Sequence, residues 1–257
     1  MVAMTELESS SAPVVMLLHG ATLNGRMWDP VRRLLDPRWR VLTPDLPGHG
    51  ARYAERYTLE AAAATVAEMA REAGSAPLVV GGDSLGGYST MAAASRLPRG
   101  QLKGLILGGC SLNYRGGALR ALRWRGWLGA WFARLYGEQR FIRGSLNKQL
   151  KRMGHSQADV DALIEAGIHI GAFAQAVDAL ANVDFLPRLS AIEQPILFFN
   201  GERDKPAMTH EAEFLAVARN ATSRHFDCQH GVSLWRSREF AAMTNEFVAR
   251  VCGVPAR

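Results

Sequence analysis

Five consecutive residues, Gly82-Asp83-Ser84-Leu85-Gly86, combine a hydroxyl nucleophile with flanking glycines. They follow an apolar run at 78–80 and precede a helical stretch, so Ser84 falls at a strand-to-helix turn. Such a turn holds the serine on strained backbone, and its glycines stand where a Cβ would collide with neighbouring chain. The free N–H groups and positive dipole end of the following helix suit a developing anion. A glycine-rich turn with an incidental serine is the competing reading, and the strand–turn–helix setting favours chemistry. Asp83 has no role in this reading and is expected to be solvated or to cap the turn.

A serine hydroxyl attacks poorly until a base takes its proton. Of the seven histidines, His230 is the best candidate, in the loop Cys228-Gln229-His230-Gly231 after the last apolar run. His225 lies inside that run and reads as a packed or edge residue. His155, His169 and His210 lie on or beside helices and read as solvated. His19 and His49 each precede a glycine in loops, where bracing of the backbone is the expectation. The base needs a carboxylate to fix its tautomer. Asp204 follows Phe198-Phe199-Asn200-Gly201-Glu202-Arg203, at the C-terminal end of a buried strand, where ligand-handling groups of parallel sheets collect. Glu202 is its nearest rival, and Asp227 is close in sequence to His230. For an oxyanion hole the donors are the Leu85 N–H, directly after the serine, and the Ala21 N–H, in the loop His19-Gly20-Ala21-Thr22.

These groups need a frame. Short apolar runs at 14–18, 40–43, 78–80, 104–107 and 196–199, with a weaker one at 223–226, read as strands buried on both faces. Helical stretches at 58–73, with Thr58 as N-cap, and at 85–97, 211–219 and 238–251 lie between and after them. The alternation predicts an α/β fold, a mostly parallel, doubly wound sheet covered on both faces. It breaks after Gly109 and resumes near Ile196. The intervening chain reads as helices at 120–136, 140–153, 158–167 and 172–180, an all-helical insertion.

Four features in this order resemble the α/β-hydrolase superfamily, in its serine-nucleophile, capped, esterase-like form. They are Leu18-His19-Gly20 with the later Trp28; Asp45-Leu46-Pro47-Gly48-His49-Gly50; the Gly82–Gly86 turn; and Gly201-Glu202-Arg203-Asp204 followed by His230. The order Ser84, Asp204, His230 is the one that architecture implies. The resemblance implies a core of residues 1–111 and 184–257, and a helical cap, 112–183, inserted after the sixth family strand. Only thirteen residues precede Val14, so the antiparallel strands that often open the fold are expected to be short or missing. Serine at position 84 disfavours the dehalogenase and epoxide hydrolase branches, which use aspartate there. The implied activity is cleavage of a carboxylic ester, thioester or lactone through an acyl-enzyme on Ser84, with no cofactor and no metal. A cofactor-free lyase of the menaquinone-biosynthesis type, acting on an anionic substrate, is the alternative. That branch typically carries an arginine after the elbow glycines, and this chain has Tyr88 there. A non-hydrolytic small-molecule receptor is the other alternative.

Composition sets outer limits. The chain has 257 residues, 48% of them hydrophobic, enough for a large core without staples. Three cysteines, Cys110, Cys228 and Cys252, fit neither a disulfide framework nor a zinc site. No apolar run reaches the ~20 residues that span a bilayer, so a cytoplasmic protein is expected, as monomer or homodimer. Residues 112–153 carry ten basic residues and one acid, a net of +9, whereas the rest carries twenty against twenty-three, −3. Nucleic-acid binding is not expected, because no recognition motif accompanies this charge. Within the basic segment Trp124, Trp127 and Trp131 share one face of a helix, with Arg120, Arg123, Arg125 and Arg134 among or beside them. Three readings are open: the stripe packs the cap onto the body; Trp124, Trp127 and Arg123 present an apolar wall and a cation to an acyl or anionic substrate; or the helix meets an anionic membrane surface.

Overall fold

The computed structural model describes residues 12–255. Six strands form one sheet: β1 (Val14–Leu18), β2 (Arg40–Leu42), β3 (Leu78–Asp83), β4 (Leu102–Gly108), β5 (Ile196–Gly201) and β6 (Ala221–Phe226). Their order is β2-β1-β3-β4-β5-β6, and every pairing is parallel. The expectation for the N-terminal edge concerns residues 1–11, which lie outside the described residues.

The chain leaves and re-enters the sheet through helices α1 (Asp29–Arg32), α2 (Leu59–Glu72) and α3 (Leu85–Ala93). Thr58 caps α2 by accepting from the Ala61 N–H at 3.0 Å. Four helices, α4 (Gly116–Tyr136), α5 (Glu138–Arg152), α6 (Gln157–Glu165) and α7 (Gly171–Leu180), form the insertion, followed by α8 (Leu186–Ser190). The fold ends with α9 (Lys205–Val217), α10 (Val232–Trp235) and α11 (Ser237–Cys252). Helix α9 begins six residues earlier than its apolar pattern suggests. Pro206 sits in its first turn, where a missing N–H costs nothing.

Alternation along the strands divides the core. Val14, Met16 and Leu18 face one layer with Ala62, Val66 and Tyr88, whereas Val15 and Leu17 face the other with Val31, Phe240 and Phe247. The second layer also takes Ile142, Leu150, Val160 and Leu163 from the insertion. Asn24, just after β1, donates to the carbonyls of Leu163 and Gly167 at 2.9 and 2.8 Å and ties the insertion to the loop that follows β1. Arg33 holds both oxygens of Asp159 at 2.8 and 2.9 Å. No helix among the described residues is long and apolar enough to cross a membrane.

Candidate active site

Four strand ends meet where the sequence motifs lie. Ser84, between β3 and α3, has φ +58° and ψ −117°, a conformation costing of order 1–3 kcal/mol for a residue with a side chain. Its N–H donates to the Gly108 carbonyl at the end of β4, 2.7 Å away. The flanking glycines make the turn possible. A Cβ on Gly86 would lie 2.0 Å from the Leu18 carbonyl oxygen, and one on Gly82 would lie 2.4 Å from the Gly86 carbonyl carbon. Helix α3 therefore starts in direct backbone contact with β1 and β3. Leu85 is the first residue of α3, so its N–H has no acceptor within the helix. Ala21 lies in the turn closed by the Leu23 N–H on the Gly20 carbonyl, at 3.3 Å. Gly20 brings that turn to the serine: a Cβ there would stand 3.7 Å from the Ser84 Cβ.

His230 and Asp204 meet across the loops after β6 and β5. The imidazole Nδ1 donates to Asp204 Oδ2 at 2.6 Å, which leaves Nε2 as the free base position. Asp204 is buried and opens α9. The ring packs against the end of β4, since a Cβ on Gly109, at φ +58°, would lie 2.8 Å from His230 Cε1. Ser84 is thus held at Gly108 and His230 at the next residue, Gly109. Desolvation works against the charged ring, but the Asp204 hydrogen bond and the charges of Asp83 and Asp204 outweigh it and raise the His230 pKa above 6.5. The rivals lie elsewhere: Asp227 pairs with exposed Arg203, and Glu202 is exposed.

Asp83 departs from expectation. It is buried rather than solvated, and its Oδ2 accepts from the Ser233 hydroxyl at 2.6 Å and the Ser233 N–H at 3.3 Å. Its Oδ1 has no hydrogen-bond partner and lies 3.2 Å from where a Gly109 Cβ would stand. Ser233 follows His230 by three residues, at the start of α10. The carboxylate beside the serine therefore anchors the segment that carries the histidine. Sequence reasoning missed this because residues 83 and 233 are joined only by the fold.

A second network went unread. Asn200 at the end of β5 accepts from the Gly109 N–H at 2.9 Å and donates to Glu211 Oε1 at 2.9 Å. Glu211, buried in α9, meets His225 Nε2 at 2.6 Å. Asparagine closing an otherwise apolar strand was the only available signal. The two bracing histidines behave as expected. His19 Nε2 accepts from the Leu46 N–H and its Nδ1 donates to the Gly20 carbonyl, both at 2.9 Å. Burial pushes its pKa down to about 3. His49 is likewise buried, donating from Nδ1 to the Pro47 carbonyl.

On α4 the stripe does not pack onto the body: Trp124, Trp127 and Trp131 are exposed, and the first two stack on each other at 5.1 Å. Arg123 is paired with Asp178 of α7 at 3.4 Å. Burial raises the Tyr114 pKa and the Asp204 hydrogen bond helps raise that of His230; the α4 cation that opposes both rises is Arg125. Positions 123 and 125 lie on different sides of a helix, so one stripe could not bring both inward. Tyr88 is buried and donates to the Leu112 carbonyl at 2.6 Å, so it offers the site no charge. All three thiols are free. Among the described residues no cluster of side chains suits a metal ion.

The sequence profile of the alpha/beta hydrolase family matches residues 15–243. The chain belongs to the alpha/beta hydrolase family. This α/β-hydrolase is 30% identical over 207 residues to a pimeloyl-[acyl-carrier protein] methyl ester esterase of Xanthomonas oryzae, covering 75% of this chain and 77% of the relative. A protein of the same name from Aromatoleum aromaticum is 28% identical over 252 residues, 92% of this chain and 98% of that one. Among solved structures it superposes on MenH from S. aureus with a TM-score of 0.72 at 18% identity, covering 95% of each chain. These two relatives are thus esterases, and the fold is shared with MenH.

Proposed function

We propose that this α/β-hydrolase cleaves a small carboxylic ester, thioester or lactone through an acyl-enzyme on Ser84. The observation that carries the reading is the 2.6 Å hydrogen bond from His230 Nδ1 to buried Asp204, beside a serine held at positive φ. His230 Nε2 takes the hydroxyl proton as Ser84 Oγ attacks the carbonyl carbon. The Ala21 and Leu85 N–H groups hold the tetrahedral oxyanion. As that intermediate collapses, the leaving alkoxide takes the proton from His230. Water then attacks the acyl-serine, His230 removes its proton, and the released Ser84 oxygen recovers it as the free acid departs.

Residues 112–183 act as a cap in this reading, and Arg125 gives the site a cation that favours an acyl group with an anionic end. The esterase relatives support ester hydrolysis, and their names direct the choice of acyl groups for the assay. The test is hydrolysis of nitrophenyl esters from acetyl to long acyl, together with methyl esters of dicarboxylic acids. Ser84→Ala should lose several powers of ten in kcat with an unchanged melting temperature. Near-wild-type turnover by that variant, or none by the folded wild type, would refute the reading.

A further inference from the structure

Seven large apolar side chains stand exposed among the described residues, and five belong to α4. Trp124, Trp127, Trp131, Leu135 and Tyr136 are 60%, 57%, 47%, 60% and 58% exposed. The first four recur at spacings of three, four and four, one stripe about 16 Å long at the helical rise. The opposite side of α4 is what holds it. Leu119 and Ala133 are buried, and Gly126 lies against the Phe173 ring of α7, so close that a Cβ there would stand 2.8 Å from it. Small residues thus face the protein and large aromatic ones face solvent, the reverse of an ordinary surface helix. Exposed apolar patches of this kind mark interaction surfaces.

The charge carried by α4 itself is of one sign. Arg120, Arg123, Arg125 and Arg134 share the helix with the stripe, within the segment of net +9. Arg123 is paired with Asp178 and Arg125 acts on the site, whereas among the described residues no ion pair engages Arg120 or Arg134. We propose that α4 is an interfacial helix that lies flat on a bilayer containing anionic phospholipid, its indoles at headgroup level and the guanidiniums of Arg120 and Arg134 on lipid phosphates. Indole joins an apolar body to a polar N–H and so fits the boundary between hydrocarbon and water. Basic residues beside an apolar stripe add attraction to anionic lipid, and the helix lies on the surface without crossing it.

Two other occupants fit less well. A second copy would set +9 against +9. A protein partner would have to be acidic to match the arginines of α4, which carries no acid of its own. The assignment stands whether or not Ser84 is the nucleophile.

Sedimentation with vesicles tests it. The protein should bind phosphatidylcholine–phosphatidylglycerol vesicles and largely ignore pure phosphatidylcholine. Binding should weaken as salt rises, and indole emission should shift to the blue. Trp131→Ser/Leu135→Ser/Tyr136→Ser and, separately, Arg120→Glu/Arg134→Glu should each weaken binding by about tenfold or more while the melting temperature holds. Absence of binding to the mixed vesicles would overturn the proposal. So would variants that bind as the wild type does. A concentration-dependent dimer abolished by the same substitutions would overturn it in favour of a second copy.

Discussion

His230 carries two carboxylates in its surroundings, and the pH dependence of hydrolysis should report both. The proposed mechanism needs the neutral ring, whereas Asp204 and Asp83 favour the charged one. The rate should therefore fall on acidification through a midpoint above 6.5, the ordinary histidine value in this comparison. Asp83→Asn should move that midpoint to lower pH while the plateau rate changes little. A purely structural role for Asp83 would lower the plateau and leave the midpoint in place. A pH–rate profile of kcat/KM for the two proteins decides between these outcomes. Ser84, His230 and Asp204 could be named from sequence because each sits where the chain changes from strand to loop. Asp83 could not be read, because its partner Ser233 is 150 positions away.

At the scale of the elements, the elbow is a contact between backbones. Gly86→Ala would place a Cβ 2.0 Å from the Leu18 carbonyl and force α3 away from β1. We expect a loss of about 3 kcal/mol, roughly 6–12 °C in melting temperature. Gly100→Ala, with no heavy atom within 4 Å of its Cβ, should shift the melt by only a degree or two. Calorimetry of the pair separates crowding from the general effect of replacing glycine, and equal melts would refute the argument. The central strands β1, β3, β4 and β5 were legible because an apolar run buried on both faces has few alternatives, whereas β2 and β6, at the sheet edges, are partly exposed rather than buried on both faces. Element ends were less legible: β3 continues to Asp83 and β5 to Gly201, because sheet pairing extends past the apolar residues. On α4 the sequence pattern identified the stripe but not the direction it faces. Gly126 decided that, by admitting the Phe173 ring to the other side.

The whole molecule should lose stability on mild acidification. His19, His49 and His155 all have pKa values lowered chiefly by burial, that of His19 to about 3. Between roughly 3 and 6.5 the unfolded chain therefore binds protons that the folded His19 does not, and stability falls as pH drops through that window. His230 acts in the opposite sense. Its raised pKa contributes stability below 6.5 that is lost as pH rises through the folded value. Three lowered groups against one raised give a melting temperature lower at pH 5 than at pH 7, measurable by calorimetry. A flat profile across that interval would count against the buried, neutral histidines. The sequence by itself determined the parallel sheet and the helical insertion, and it singled out Ser84, His230 and Asp204 as candidates. Those depend on local apolar pattern, on turn chemistry and on the order of motifs along the chain. Only the tertiary structure decided that Asp83 would be buried on Ser233, which arginine's charge acts on His230 and which face of α4 meets solvent. Each of these depends on residues far apart in the chain, brought together by packing that no local pattern records.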